Sequence, residues 1–335
     1  MKLLFDILRH RRPANSSGEK IFIKMYLDSV KGMQSDAFGN RFIEVGEGST
    51  TMFSCHTDTV HQNDSIQEVI VDPVKEHLFT SGVLGADDGT GIWLMLKMIE
   101  HGVKGFYVFH REEEIGGNGS TYFAENNQDK LRTMLRCIAF DRKGYDSIIT
   151  EQMGVCCSDE FATQLAGKFN ALYEGFLFRP DDTGLFTDSA NYTHLIPECT
   201  NISVGYFNQH MPTEYQDTHF AARMLEAVLK LDWETLGVFK DVEEEYSYYN
   251  GYGGTGFDNY GATYKPANSA KGNVFGNEVF KDLYANKDLA FDRDLDALYN
   301  NVKEDDFESA LDMIANDPEL GTSLIFELYN DIKGF

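Results

Sequence analysis

Histidine and carboxylate side chains follow the ends of several short apolar runs in this 335-residue sequence. Because strands of an open α/β sheet place functional residues just beyond their carboxyl ends, such residues would meet at one edge of the sheet. Imidazole and carboxylate groups together suit zinc or another borderline divalent metal ion. The residues are His56 and Asp58 after TMFSC, Glu113 and Glu114 after GFYVFH, Asp141 at the end of CIAFD, His210 after ISVGYF, and the pair Asp87 and Asp88 in LGADDGTG.

Carboxylates this close together would repel one another strongly in a cleft unless cations neutralised them. Two divalent ions that share a bridging carboxylate would do so, and a water molecule held between two metals ionises near neutral pH. A carboxylate beside that water could accept its proton and pass it to a leaving group. Adjacent Glu113 and Glu114 can divide the tasks of base and ligand. Asp58 can accept the second imidazole N–H of His56 and fix its tautomer.

The segments that carry these residues alternate between strand and helix patterns from residue 40 to about 232. Short β-forming runs predict buried strands at 51–55, 105–110, 137–141 and 202–207, and an added antiparallel hairpin at 68–72 and 77–80. Apolar helical spacing predicts helices at 88–101, 119–126, 158–173 and 216–231. The alternation predicts an α/β fold, a three-layer α/β/α sandwich with a mostly parallel mixed sheet.

Five motifs, in this order along the chain, resemble those of the co-catalytic zinc exopeptidase superfamily. They are HTD at 56–58, GADDGTG at 85–91, EEIGG at 113–117, FD at 140–141 and HMPTE at 210–214. That superfamily includes leucine aminopeptidases, tripeptidases, carboxypeptidase-like enzymes and deacetylase-like amidohydrolases. The resemblance covers roughly residues 17–232, and five ordered motifs are far more specific than any single one. It implies hydrolysis of a peptide or small amide substrate.

The resemblance also implies a role for each site residue. Glu113 would be the general base, Asp58 would lie behind His56, and the bond between Asp87 and Asp88 would be cis. Two zinc ions are implied per chain, with cobalt or manganese as possible replacements. A hydroxide between the ions would attack the carbonyl, and Glu113 would pass the proton to the departing amine. The implied ligands are Asp87 bridging both ions, His56 and Asp141 on one ion, and Glu114 and His210 on the other.

Motif spacing favours the single-domain aminopeptidase branch of this superfamily. From Asp141 to His210 there are only 69 residues, too few for the inserted dimerisation domain of roughly a hundred residues that the deacetylase and carboxypeptidase branch carries. We therefore expect an aminopeptidase. One alternative is a carboxypeptidase or N-deacylase with the same metal centre. The other is a non-catalytic binding or assembly protein that acts through an acidic C-terminal module.

The charge distribution separates the C-terminal part from the rest of the chain. The sequence has 29 Lys and Arg against 54 Asp and Glu, a net charge of −25. Residues 1–232 hold 33 acids and 21 bases, and residues 233–335 hold 21 acids and 8 bases. Such a surface repels nucleic acids and anionic membranes. We expect a catalytic domain at 1–232, a Gly- and Tyr-rich linker at 233–276 and a small acidic helical module at 277–335.

The cysteines and the N-terminus indicate a cytoplasmic protein. The five cysteines form no CxxC pair and suit buried free thiols in a reducing compartment. The first residues, MKLLFDILRHRRP, have no signal-peptide cleavage pattern and predict a helix. The sequence contains no apolar run of about 18 residues, the length that a membrane-spanning helix needs.

Four residues near the motifs suit more than one role. Asp188 suits a contact to the substrate amine or to the metal ligands, and equally a helix N-cap. Arg111 and Arg142 flank the predicted ligands and suit either binding of a substrate carboxylate or balancing of charge. His219 could replace His210 as the last ligand, but it lies inside a predicted helix, so His210 is preferred.

Overall fold

The computed structural model describes residues 1–242, which belong to one structural unit. The strands of this part of the chain are β1 His10–Arg11, β2 Gln34–Ser35, β3 Arg41–Val45, β4 Thr51–His56, β5 Ser65–Ile66, β6 Ile70–Asp72, β7 His77–Phe79, β8 Gly105–His110, β9 Arg136–Arg142, β10 Ser147–Ile149, β11 Arg179–Asp181, β12 Glu198–Ser203, β13 Tyr206–Phe207 and β14 Tyr215–Asp217. Its α-helices are α1 Lys2–Leu8, α2 Ser17–Phe22, α3 Ala86–Glu100, α4 Asn118–Asn126, α5 Gln128–Leu131, α6 Asp159–Leu172 and α7 Thr218–Lys230. Shorter helical turns lie at Ile23–Leu27, Asp188–Tyr192 and Trp233–Thr235.

Eight strands form the main sheet, in the order β11-β10-β12-β9-β4-β8-β3-β2. The four central strands, β12, β9, β4 and β8, are mutually parallel, whereas β2 and β3 add an antiparallel edge. Every residue of β4, β8 and β12 is buried. Continuous burial of this kind is expected of parallel strands that are covered on both faces. The predicted mostly parallel mixed sheet is confirmed.

Helices cover both faces of this sheet. Helix α3 packs on β4 and β9 and is itself contacted by α1 and α7, while α4 and the turn Asp188–Tyr192 lie on the other face. Side chains of β4 alternate between two apolar clusters, with Met52 in one and Phe53 in the other. The alternation follows from the two-residue period of a strand. The architecture is therefore the predicted three-layer α/β/α sandwich.

A second, antiparallel sheet has the order β13-β14-β7-β6. Strands β6 and β7 form the predicted hairpin. The predicted strand at 202–207 is wrong in its second half, because β12 ends at Ser203 and Tyr206 pairs instead with Gln216 of β14. The chain changes sheets at Gly205, whose φ of 86° is a conformation that glycine adopts readily.

The chain remains packed on the sandwich beyond residue 232. Trp233 and Leu236 are buried in the core. Arg136 donates hydrogen bonds to the carbonyl oxygens of both, at 3.1 and 2.7 Å. The carboxylate of Glu198 accepts from the main-chain N–H of Phe239 at 2.8 Å. Residues 233–239 thus share a core with the sandwich, whereas the predicted module at 277–335 and most of the predicted linker lie outside the described residues.

Two smaller expectations can also be compared with the structure. All five cysteines are buried free thiols, as predicted. The predicted N-terminal helix is α1. Within residues 1–242, none of the helices combines the length and the apolar character that crossing a membrane would require.

We predict that Trp233→Ala lowers the free energy of unfolding by about 3–5 kcal/mol, because it leaves a large cavity in the core. Denaturant unfolding of the full chain measures this loss. The matched control is Val238→Ala, which removes a partly exposed side chain and should change stability by no more than about 0.5 kcal/mol. Equal effects of the two substitutions would show that residue 233 lies outside the folded core.

Candidate metal centre

The predicted site residues meet at the carboxyl ends of three adjacent parallel strands. His56 ends β4, and Asp141 lies near the end of the neighbouring β9. The turn with Glu113 and Glu114 follows β8, which flanks β4 on the other side. Asp87 precedes the regular part of α3, where its own backbone is not helical, and its bond to Asp88 is cis, as the resemblance implies.

Asp87 lies at the centre of the cluster. Its Oδ1 is 3.1 Å from Nε2 of His56, and its Oδ2 is 3.1 Å from Nε2 of His210. The two carboxylate oxygens therefore face two different imidazoles. A carboxylate in this arrangement can contribute one oxygen to each of two metal ions.

Each imidazole beside Asp87 also faces a second carboxylate. Oδ1 of Asp141 is 3.8 Å from Nε2 of His56, and Oε2 of Glu114 is 3.1 Å from Nε2 of His210. The structure thus brings the five predicted ligands together in the two predicted groups. His219, in contrast, lies within α7, with its Nδ1 3.8 Å from the carboxylate of Glu76.

The donor set fits divalent metal ions. Oε1 of Glu114 is buried and has no hydrogen-bond partner among residues 1–242. An unpaired buried carboxylate oxygen is uncommon in proteins, and here it suits a metal ligand. Ligand atoms of His56, Asp87 and Glu114 lie within 4.8 Å of one another, as do those of His56, Asp88 and Asp141. Asp88 already accepts the main-chain N–H groups of His56 and Gly91, which leaves Asp87 the better ligand.

The electrostatic environment favours positive charge on both sides of Asp87. Burial alone would raise the pKa of Asp87, but its contacts with His210 and His56 outweigh burial and lower it. Hydrogen bonds with Asp87 and Glu114 raise the pKa of His210 to about 10. Burial and the charge of Asp87 raise the pKa of Asp141 to about 7. Divalent ions would replace the protons that these groups otherwise hold.

Asp58 holds the turn that carries Glu113 and Glu114. Its carboxylate accepts the main-chain N–H of Glu113 and that of Glu114, both at 3.1 Å. The nearest group to Nδ1 of His56 is the main-chain carbonyl oxygen of Asp58, at 3.1 Å, and the carboxylate is slightly farther away, at 3.5 Å. Asp58 therefore lies beside His56 and contacts it more closely through its main-chain carbonyl than through the carboxylate that was expected to do so, and its carboxylate fixes the turn that carries the predicted base.

Glu113 lies at the wall of a cleft of about 120 Å³, together with Asp87, Asp141 and His210. Burial, together with the charges of Asp141 and Asp188, raises the pKa of Glu113 well above its ordinary value, and the nearby His56 acts in the opposite sense. A carboxyl group with a raised pKa can both accept and donate a proton near neutral pH.

Glu214 is a residue whose role the sequence did not reveal. Its carboxylate is buried and accepts four main-chain N–H groups, those of residues 84–87, at 2.8 to 3.2 Å. Glu214 therefore fixes the loop that presents Asp87, and it lies four residues after His210. The HMPTE motif contained this glutamate, but only the tertiary structure shows that its partners are backbone groups.

Asp141 is oriented by residues that the sequence had not singled out. The hydroxyl of Tyr206 donates to Oδ1 of Asp141 at 3.0 Å, and that of Thr187 donates to Oδ2 at 2.7 Å. The side-chain amide of Asn201 exchanges hydrogen bonds with the main chain of Asp141. Tyr206 had been expected in a core strand.

A buried arginine lies behind the site. Arg12 donates to the carbonyl oxygen of Thr57 at 2.9 Å and to that of Gly85 at 3.4 Å. It thus connects the segments that carry His56 and Asp87. Arg12 had been assigned to the N-terminal helix, but it follows the end of α1 and its side chain points into the domain.

The open roles of two other residues are now clearer. Arg111 pairs with the buried carboxylate of Glu19 at 2.9 Å, so it balances internal charge. Asp188 makes no N-cap hydrogen bond, and the N-cap of its helical turn is Thr187. Both carboxylate oxygens of Asp188 are buried without a hydrogen bond in the described part of the chain, and Oδ2 is 3.3 Å from Nδ1 of His110.

Comparisons with solved structures show which proteins share this fold. The chain is similar to the aminopeptidase PepT from Bacillus cereus, with 12% identity, a TM-score of 0.53, and 68% of this chain and 95% of that chain covered. A tripeptidase from Staphylococcus aureus is similar with 12% identity, a TM-score of 0.54 and the same coverage. A TET aminopeptidase from a Thaumarchaeota archaeon is similar with 10% identity and a TM-score of 0.52, over 73% of this chain and 98% of that one.

The chain has the fold of these peptidases. Identities of 10–12% concern the fold alone, and any activity of this chain has to be argued from its own site. No protein-family model matches the sequence, and no curated protein does.

We predict that Glu214→Gln weakens zinc binding by about 10–100-fold, as loss of a group that orients a ligand typically does. A glutamine side chain has one acceptor oxygen for four N–H groups, so the loop that carries Asp87 would lose part of its support. Competition against a chelating dye measures the affinity. Glu226→Gln, an exposed change on α7, is the matched control. Wild-type affinity in the Glu214 variant would contradict the assigned role.

Proposed function

We propose that this chain is a metal-dependent peptidase, and more narrowly a di-zinc aminopeptidase. The observation that carries the proposal is the position of Asp87, with one carboxylate oxygen facing each imidazole and Glu113 on the wall of the same cleft. The shared fold with aminopeptidases and a tripeptidase supports it.

The two metal positions would be held by side chains already in place. His56, Asp87 and Asp141 would bind one ion, and His210, Asp87 and Glu114 the other. Zinc suits these nitrogen and oxygen donors, and cobalt or manganese are alternatives. When bound, a pair of such ions polarises a carbonyl group and acidifies a water molecule. The identity of the ions, their number and a hydroxide between them are parts of this proposal.

The chain's own residues supply the proton transfer. Glu113 would take a proton from the attacking water and later donate it to the departing amine. Its raised pKa suits both steps. Asp58 would hold Glu113 and Glu114 in place through their main-chain N–H groups, so that the base and the neighbouring ligand keep a fixed spacing.

A substrate with free ends at both termini separates the candidate peptidase activities. An aminopeptidase should release leucine from leucyl-glycyl-glycine and leave the N-acetylated peptide intact. A carboxypeptidase would release the C-terminal glycine, and an N-deacylase would release acetate from the acetylated peptide. Chromatography of the products distinguishes these outcomes. The non-catalytic alternative depends on residues 277–335, outside the described part of the chain, and predicts no chelator-sensitive hydrolysis at all.

We predict that Glu113→Gln lowers kcat by about 10²–10⁴-fold, the usual contribution of a general base. The metal content should stay near that of the wild type, because Glu113 is not among the proposed ligands. Elemental analysis and the peptide assay measure the two quantities on the same sample.

The neighbouring Glu112→Gln is the matched control, since the Glu112 carboxylate accepts a hydrogen bond from Asn118 at the surface and should be dispensable for turnover. If the Glu113 variant kept full activity, the assignment of the base would be wrong.

A further inference from the structure

The active-site cleft extends beyond the proposed metal ligands into a region rich in hydrogen-bond donors. Besides Asp87, Glu113 and Asp141, its walls include Arg142, Lys143 and Gln152. These three side chains have no role in the proposed proton transfer. They carry two positive charges and one amide, in contrast to the carboxylates that line the same cleft.

The guanidinium group of Arg142 is held in place by hydrogen bonds, but one of its N–H groups has no acceptor within residues 1–242. Its Nη2 donates to the carbonyl oxygen and the hydroxyl of Thr183, at 3.2 and 3.0 Å, and is 3.7 Å from a carboxylate oxygen of Asp181. Its Nε is buried and has no acceptor among the described residues. The guanidinium group is therefore fixed by one edge, while another N–H group is unused.

The side-chain amide of Gln152 is likewise held by one hydrogen bond and has a second polar atom without a partner in the described part of the chain. Its side chain is only 4% exposed. Its Oε1 accepts a hydrogen bond from the hydroxyl of Ser189 at 3.0 Å, which orients the amide. Its Nε2 is buried without a partner in residues 1–242. Two unpaired buried donors in the wall of one cleft are unusual in a protein and indicate a ligand that supplies acceptors.

The charge of this region specifies the ligand further. Lys143 is exposed beside Arg142, and both line the cleft, so two positive charges lie in this part of its wall. A planar guanidinium group matches the two oxygens of a carboxylate, and hydrogen bonds between charged partners are about twice as strong as neutral ones. A free carboxylate is therefore the acceptor that the region fits best.

The size of the cleft limits the length of the ligand. Arg142 directly follows the proposed ligand Asp141, and both residues line the cleft. A carboxylate bound at Arg142 would thus lie in the same cleft as the proposed metal ligands. The volume of the cleft, about 120 Å³, is below the range of roughly 300–1,000 Å³ that is usual for small-molecule sites, which favours a short ligand.

We propose that Arg142, Lys143 and Gln152 form a subsite for the free C-terminal carboxylate of a dipeptide or tripeptide substrate. This inference rests on the proposed peptidase function and narrows its substrate class to short, C-terminally unblocked peptides. The peptide's N-terminal end would then lie towards the carboxylates and the proposed metal ions.

Binding measurements can test the subsite separately from turnover. Isothermal titration calorimetry of the zinc-loaded Glu113→Gln chain compares trialanine with trialanine amide, which differ only in the terminal carboxylate. We expect the acid to bind at least about tenfold more tightly, as one charged hydrogen-bonded pair would give. Arg142→Gln should remove this preference and leave binding of the amide unchanged. Arg142→Lys should restore part of the preference through its charge.

Two further variants, both at exposed positions, control for effects of substitution on folding. Lys143→Gln changes an exposed side chain and should reduce the preference about threefold, a modest loss that suits a solvated charge. Arg132→Gln, an exposed charge change away from the cleft, should have no effect. Equal binding of acid and amide, or no binding of either, would overturn the subsite. If the acid is preferred but wild-type chain hydrolyses no peptide, the proposed function fails while the carboxylate subsite stands.

Discussion

The crowding of buried carboxylates around Asp87 is the constraint on which the rest of the site depends. Asp87 and Asp141 share a cleft wall with Glu113, and Glu114 lies beside His210. Like charges at such short range repel strongly where solvent is scarce. The two imidazoles relieve part of this repulsion, each lying 3.1 Å from a different oxygen of Asp87. Divalent cations in the same positions would relieve more of it and would turn an unfavourable cluster into a catalytic device.

Hydrogen bonds to main-chain groups fix the backbone segments that carry this cluster. Glu214 accepts four N–H groups of the loop before α3, and Asp58 accepts two from the turn after β8. Arg12 donates to carbonyl groups on the segments that carry His56 and Asp87. The proposed ligands thus lie on backbone segments that buried charged side chains hold in place, and such pre-organisation is what a site with narrow geometric tolerance requires.

The sequence predicted which candidate ligands lie together better than it predicted what supports them. His56 and Asp141 were accessible to prediction because each ends an apolar run, and the sheet order then brings those ends together. His210 was identified from a strand that proved partly wrong, since β12 ends at Ser203. Glu214 and Arg12 were missed because their partners are backbone groups far away in the chain, and hydrogen bonds of that kind leave no periodic pattern. Likewise, no local sequence pattern predicts that Trp233 packs against the core.

The central claim is that two metal ions share the carboxylate of Asp87. It is tested most directly by X-ray diffraction from crystals grown with zinc, recorded on both sides of the zinc absorption edge. The account predicts two anomalous peaks, one on each side of Asp87 and roughly 3.5–4 Å apart, as in other two-metal hydrolytic sites. A single peak, or no peak within coordination distance of Asp87, would contradict it.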